Sequence, residues 1–235
     1  MLGQSEHHTS AHTRGSADSG ENVCTLRSLR HYVVHGTDGD VGRVRDIYFD
    51  DRRWRARYLI VDIRHWLRDR RVLLVPHAVQ MMDHARRHAV VALTRMQVEQ
   101  SPPAQTAVPV ALQHDVDLYA YFGFPYSWTG PVLRWDPLSG LEHDDPHLCS
   151  AEAMVGYGVR ATDGEVGHVE DFLLDVRSWA IRDVMVRSRR WPAHRLLISP
   201  FLITRASWET RALDVDQPRD AIVRGSSFEM TRSMG

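Results

Sequence analysis

"TDGDVGRVRDIYFD" occupies residues 37–50, and "TDGEVGHVEDFLLD" occupies residues 162–175. The second copy lies 125 positions after the first, and Thr37–Ile63 agrees with Thr162–Ser188 at 12 of 27 positions. The register continues through Trp66 and Trp191 and then slips by one, so that "VLLVP" (72–76) aligns with "LLISP" (196–200). A single-residue deletion of this kind is what a surface loop accommodates. A period of this length is too long for a solenoid and divides the chain into two similar domains.

Three readings compete for the repeated motif. A phosphate loop needs a helix opening at its last glycine, so that free N–H groups face the anion. Here Gly39-x-x-Gly42 and Gly164-x-x-Gly167 are followed by β-patterned residues. A calcium loop needs oxygen ligands at alternating positions and a distal bidentate carboxylate. Asp38, Asp40, Asp46 and Asp50 do not keep that spacing, nor do Asp163, Glu165, Asp171 and Asp175. A turn accounts for every residue. Asp-Gly takes the positive-φ corner of a hairpin, and the second glycine allows a bulge or a close approach where the strand curves. Asp38, Gly39 and Gly42, with Asp163, Gly164 and Gly167, are therefore structural turn residues, and no catalytic residue, cofactor or metal site is assigned.

The residues after each turn have strand character. "VGRVRDIYF" alternates Val41, Val44 and the Ile47–Phe49 group with polar positions, "RARYLIVDI" is β-branched and aromatic, and "VLLVP" is a short apolar strand closed by proline. No amphipathic helix of βαβ type intervenes. The chain is expected to be all-β: two small barrels in tandem, each of about six strands with one short C-terminal helical turn, at 94–101 and 218–225. The expected boundaries are a disordered polar tail at 1–24, a first barrel at 25–101, an aromatic and proline-rich linker at 102–145, a second barrel at 146–226 and a flexible tail at 227–235.

Composition narrows the chemistry. All 29 basic residues are Arg, and the formal net charge is −1. Without Lys, neither a Schiff-base lysine nor a Walker-type phosphate loop can be built. A near-neutral chain exerts no global pull on nucleic acid or an anionic membrane. The Arg runs at 51–57, 68–71 and 187–190 stand beside Trp54, Trp66 and Trp191, a pattern suited to stacking and pairing RNA. Interleaved Asp50, Asp51, Asp62 and Asp69 favour self-paired, solvated faces instead. Cys24 and Cys149 stand apart, without a CxxC pair, as free thiols. His84 and His88 have i,i+4 spacing but fall between strands, and "LEHDDPH" (141–147) has the character of a loop. The polar N-terminus carries no apolar signal segment. The longest uncharged apolar stretch, Leu118–Leu133, spans 16 positions interrupted by Gly123, Pro125, Gly130 and Pro131. That is too short for a membrane helix, so a cytoplasmic chain without membrane insertion is expected.

Seven of the 20 aromatic residues fall in the 17 positions from Tyr119 to Trp135. A linker that only needed to be flexible would not carry so much apolar surface. Tyr119, Tyr121, Phe122, Phe124, Tyr126, Trp128 and Trp135 are therefore the candidate interaction surface, either strapping the barrels together or facing a partner.

"DGDVGRVRDIYFDDRRWRARYLIVD" followed by "RRVLLVP", and "DGEVGHVEDFLLDVRSWAIRDVMV" followed by "RLLISP", resemble the PRC-barrel domain. That small β-barrel occurs in the cytoplasmic part of photosynthetic reaction-centre H subunits and in RimM-type ribosome-maturation factors. The segment "YAYFGFPYSW" also looks like the linker of bacterial tandem PRC-barrel proteins. There are departures: no membrane helix precedes the first barrel, and a second barrel stands where RimM-type factors have a different domain. Val61–Asp62, a frequent strand end in the family, becomes Val186–Arg187, so the acid is lost from one copy. The resemblance implies a non-enzymatic docking or assembly module that binds a protein partner or self-associates as a homodimer. The alternatives it implies are RNA-associated assembly work of the RimM kind and a soluble factor for reaction-centre assembly or electron transfer.

Overall fold

The computed structural model describes residues 22–65, 68–101, 103–104, 147–189 and 194–233. The seven linker aromatics, Trp66 and Trp191 lie outside the described residues. The first repeat runs β1 (Val23–Thr25), α1 (Leu26–Leu29), β2 (Val33–Gly36), β3 (Gly39–Asp50), β4 (Arg55–His65), β5 (Arg68–Leu74), a 3-10 turn (Pro76–Ala78), β6 (Val79–Asp83), β7 (His88–Val91) and α2 (Arg95–Glu99). The second follows with β8 (Leu148–Ser150), α3 (Ala151–Met154), β9 (Gly158–Ala161), β10 (Gly164–Asp175), β11 (Ala180–Ser188), β12 (Arg195–Ile198), a 3-10 turn (Pro200–Leu202), β13 (Ile203–Ser207), β14 (Ala212–Val215) and α4 (Arg219–Ser233).

The chain is mostly β, and its described strands join in one 14-stranded sheet ordered β13-β14-β9-β10-β11-β4-β3-β2-β7-β6. Off this path, β12 pairs with β11, β5 with β4, β1 with β10 and β8 with β3. Within each repeat the neighbours match, including the parallel pairs β2–β7 and β9–β14. The sheet is continuous and open where sequence reasoning expects two separate barrels. Each repeat lends its first strand to the long strand of the other, so the hydrogen-bond ladder does not stop at the repeat boundary.

The long strands β3 and β10 carry the core. Val41, Val44, Ile47 and Phe49 are buried, as are Val166, Val169, Phe172 and Leu174. Their spacing breaks strict alternation at Val44–Ile47 and Val169–Phe172. The ladder register shifts there, at Arg45 and Glu170, and a bulge inserts one residue before alternation resumes. The buried side chains of both repeats form a single cluster, with the Phe49 and Phe172 rings 5.8 Å apart.

The helices depart from expectation in two ways. The turns α1 and α3 went unforeseen, although each has a hydroxyl cap: Thr25 Oγ1 accepts from Ser28 N and Ser150 Oγ from Ala153 N, both at 3.0 Å. The helix expected at 94–101 is the five-residue α2, opened by a Thr94–Gln97 capping box. The one expected at 218–225 is longer, since α4 spans 15 residues and runs into the region expected to be a flexible tail. Gly225 does not end it, because Ile222 and Ser226 are buried on both sides of that glycine and Ser226 Oγ donates to Leu197 O at 2.8 Å. No helix among the described residues is long and apolar enough to cross a membrane.

Candidate interaction surfaces

The acids of the repeated motif are engaged by the chain's own N–H groups. Asp38 Oδ1 accepts from Arg95 N at 2.6 Å, and Asp163 Oδ1 from Arg219 N at 2.8 Å, so each turn caps the helix that closes its repeat. The Arg219 N–H holds the Asp163 carboxyl below the usual carboxylate range. Asp50 Oδ1 accepts from the N–H groups of Arg52 and Arg53, and Asp175 Oδ1 from those of Arg177 and Ser178. Gly39 and Gly164 take φ of 129° and 133°, a region that favours glycine. A Cβ on Gly42 or Gly167 would lie less than 3.0 Å from the carbonyl oxygen of Asp62 or Arg187 on the adjacent strand. Among the described residues no group of three metal-ligating side chains converges.

The contact between the repeats is reciprocal. Val23, Cys24 and Thr25 pair with Asp175, Leu174 and Leu173, while Leu148, Cys149 and Ser150 pair with Asp50, Phe49 and Tyr48. Each pair maps onto its counterpart by the same 125-residue offset. The offset also relates Asp51 N→His147 O to Val176 N→Asn22 O, and Ala56 N→Trp179 O to Ile181 N→Trp54 O. Arg55 pairs with Ala180, its own counterpart, and so marks a pseudo-two-fold axis. Asp46 Oδ1 accepts from its neighbour Ile47 N at 2.7 Å and across the axis from Glu152 N at 2.9 Å; Asp171 Oδ1 accepts from Phe172 N at 2.8 Å and across from Arg27 N at 3.3 Å. Burial raises the Asp46 carboxyl, against the lowering effect of Ser150 Oγ and the two N–H donors. Cys24 and Cys149 are buried free thiols, and burial, with Asp171 nearby, pushes Cys24 up to about 12.

The charge on the bulges is inverted between repeats. In the first, Asp62 on β4 accepts from Arg71 Nε at 3.1 Å, and the bulge residue Arg45 reaches Glu152 at 2.9 Å. In the second, the bulge residue is Glu170, gripped by Arg187 at 2.8 Å and by Arg195 at 3.0 and 3.1 Å. The acid absent from the strand end at Arg187 has moved across the ladder to Glu170. The Arg195 bonds and then Arg187 hold the Glu170 carboxyl down at about 2.

Other sequence candidates fall apart in space. His84 Nδ1 meets the Tyr32 hydroxyl at 2.6 Å, whereas His88 stacks on His35 with ring centroids 5.2 Å apart. His147 Nδ1 contacts Asp51 Oδ1 at 2.9 Å. Trp54 and Trp179 do not face solvent: both rings are buried at the axis, with backbone φ of 52° and 57°, and Trp54 stacks on Phe49. The outward apolar groups are ones that sequence reasoning passed over. Phe201, on the 3-10 turn before β13, is 98% exposed, and an apolar groove between α4 and β12 is lined by Ile198, Leu202, Ala221, Ile222 and Gly225. The Pro200-Phe201 pair could have flagged it, because a proline-led turn between strands holds its next side chain at the surface. Comparison of the chain with protein-family models and with curated proteins finds no match.

Proposed function

We propose that the protein is a non-enzymatic docking module made of two PRC-type barrels, each left open along one seam and joined back to back across the pseudo-two-fold axis. The exposure of Phe201 carries this reading. A phenyl ring surrendered wholly to water does nothing for the fold, and apolar anchors of this kind are what binding hot spots use. The groove beside α4 offers adjoining apolar surface on the same repeat. In the first repeat the matching turn position is His77, so the anchor belongs to one repeat only. The engagement of the motif acids in turns, caps and cross-axis bonds supports a structural role for them.

The test is a photo-crosslinking amino acid placed at position 201 and, as control, at position 77, with irradiation of living cells. A discrete adduct at 201 and none at 77, the adduct being another protein or a second copy of this chain, is the expected result. Equal labelling at both positions, or none at either, would overturn the reading.

A further inference from the structure

We propose that Phe201 of a second copy of this chain fills the groove between α4 and β12, an assignment of partner that rests on the docking role of Phe201 proposed above. Two such contacts, related by a two-fold axis, join the copies. The ring is 98% exposed, and the groove, lined by Ile198, Leu202, Ala221, Ile222 and Gly225, has a volume of about 140 Å³. An apolar cavity of roughly 150 Å³ takes one benzene, so the groove has the size and lining for one phenyl ring.

The ring of the same chain does not fill it. Pro200 is buried and Leu202 N donates to Ser199 O at 3.0 Å, which holds the turn with Leu202 against the groove and Phe201 in water. Anchor and groove therefore adjoin in one patch without satisfying each other. A two-fold axis through such a patch sets each ring in the other copy's groove and closes the assembly at two chains. Asp216, Asp220 and Arg224, each next in sequence to a lining residue, are exposed and of mixed sign, so two copies of the patch meet without a single-sign field between them.

Comparison of the repeats ties anchor and groove together. At the matching positions of the first repeat, His77 stands for Phe201, Ala78 for Leu202 and Gln97 for Ala221. The helix α2 stops at Glu99, before Ser101, the counterpart of Gly225, so the helical wall that Gly225 forms has no equivalent there. The ring and the groove's helical wall occur together in the second repeat and are missing together from the first, as parts of one contact are.

The test is sedimentation equilibrium of the full chain, alone and in mixtures of variants. We expect a concentration-dependent monomer–dimer equilibrium. F201A removes both rings, and G225L fills both grooves; the larger side chain is accommodated, since a Cβ at Gly225 meets nothing within 4 Å and leucine suits a helix better than glycine. Burying one phenyl ring is worth about tenfold or more in affinity, so each variant alone should dimerise about a hundredfold more weakly than the unaltered chain. A mixture of the two restores one contact, Phe201 of the G225L chain in the groove of the F201A chain, and should associate about tenfold more tightly than either variant alone. H77A should dimerise as the unaltered chain does. A monomer at every concentration, dimerisation unaffected by F201A, or a mixture no tighter than its components would overturn the inference. A monomer whose position 201 still crosslinks to another protein would overturn it while leaving the docking role standing.

Discussion

Replacing Trp54 tests the reciprocal contact and the backbone conformation together. Its ring is buried against Phe49, and its carbonyl accepts from Ile181 in the other repeat, so the residue serves both halves. Trp54→Ala removes a core aromatic, a change that costs about 3–5 kcal/mol. Trp54→Gly removes the same ring, but at φ of 52° glycine avoids a left-handed penalty of about 1 kcal/mol that alanine still bears. With a urea slope of about 2 kcal/mol/M, the midpoint should fall by about 1.5–2.5 M for alanine and by about 0.5 M less for glycine. The assay is urea unfolding by far-UV circular dichroism, with amide hydrogen exchange read separately on β3–β4 and β10–β11. Both hairpins should lose protection together, because they meet at Arg55–Ala180 and share one core. Loss confined to β3–β4, or an alanine variant more stable than the glycine variant, would refute the shared core or the left-handed strain respectively.

Two further outcomes follow from the strand crossings. Gly42→Ala and Gly167→Ala should each destabilise the chain by more than the roughly 1 kcal/mol of an ordinary core overpacking, since the added Cβ meets a backbone carbonyl that cannot swing aside; thermal melts check this. Glu170 titrates at about 2 when folded, below its unfolded range, so its stabilisation is present above the unfolded value and lost as pH falls through about 2. Glu170→Gln should therefore lower stability at neutral pH and flatten its decline in acid, which urea midpoints between pH 2 and 7 will show.

The β class, the two Asp-Gly turns and a helical turn within 94–101 were legible because each rests on local chemistry: alternation, positive φ and a short run bounded by turn residues. The open, shared sheet was not. A repeat says that two segments adopt the same conformation, but it carries no information on whether β1 pairs with its own repeat or with the other. Cys24 and Cys149 kept the 125-residue offset ahead of the quoted motif, a trace of the exchanged strands that had no partner pattern to decode. The bulges at Arg45 and Glu170 hid the charge exchange in a similar way. In sequence, Arg187 in place of Asp62 looks like a lost acid, and only the ladder shows Glu170 beside it.

Which positions agree between the repeats, and which differ, bears on function. Trp54/Trp179, Asp46/Asp171 and Asp50/Asp175 lie on or across the axis, and each is the same residue in both repeats. A homodimer of single repeats would be obliged to use each such residue twice, but within one chain the two copies are separate positions, and Arg55 and Ala180, which meet on the axis, already differ. Both at the contact and away from it the repeats have diverged. His77 stands against Phe201 and His84 against Trp208, while the bulge charges are reversed. Two identical repeats would present two equal surfaces. Among the described residues the exposed phenyl ring of Phe201 belongs to the second repeat, with His77 at the matching place in the first, so under the docking role proposed above the two repeats would offer a partner different surfaces.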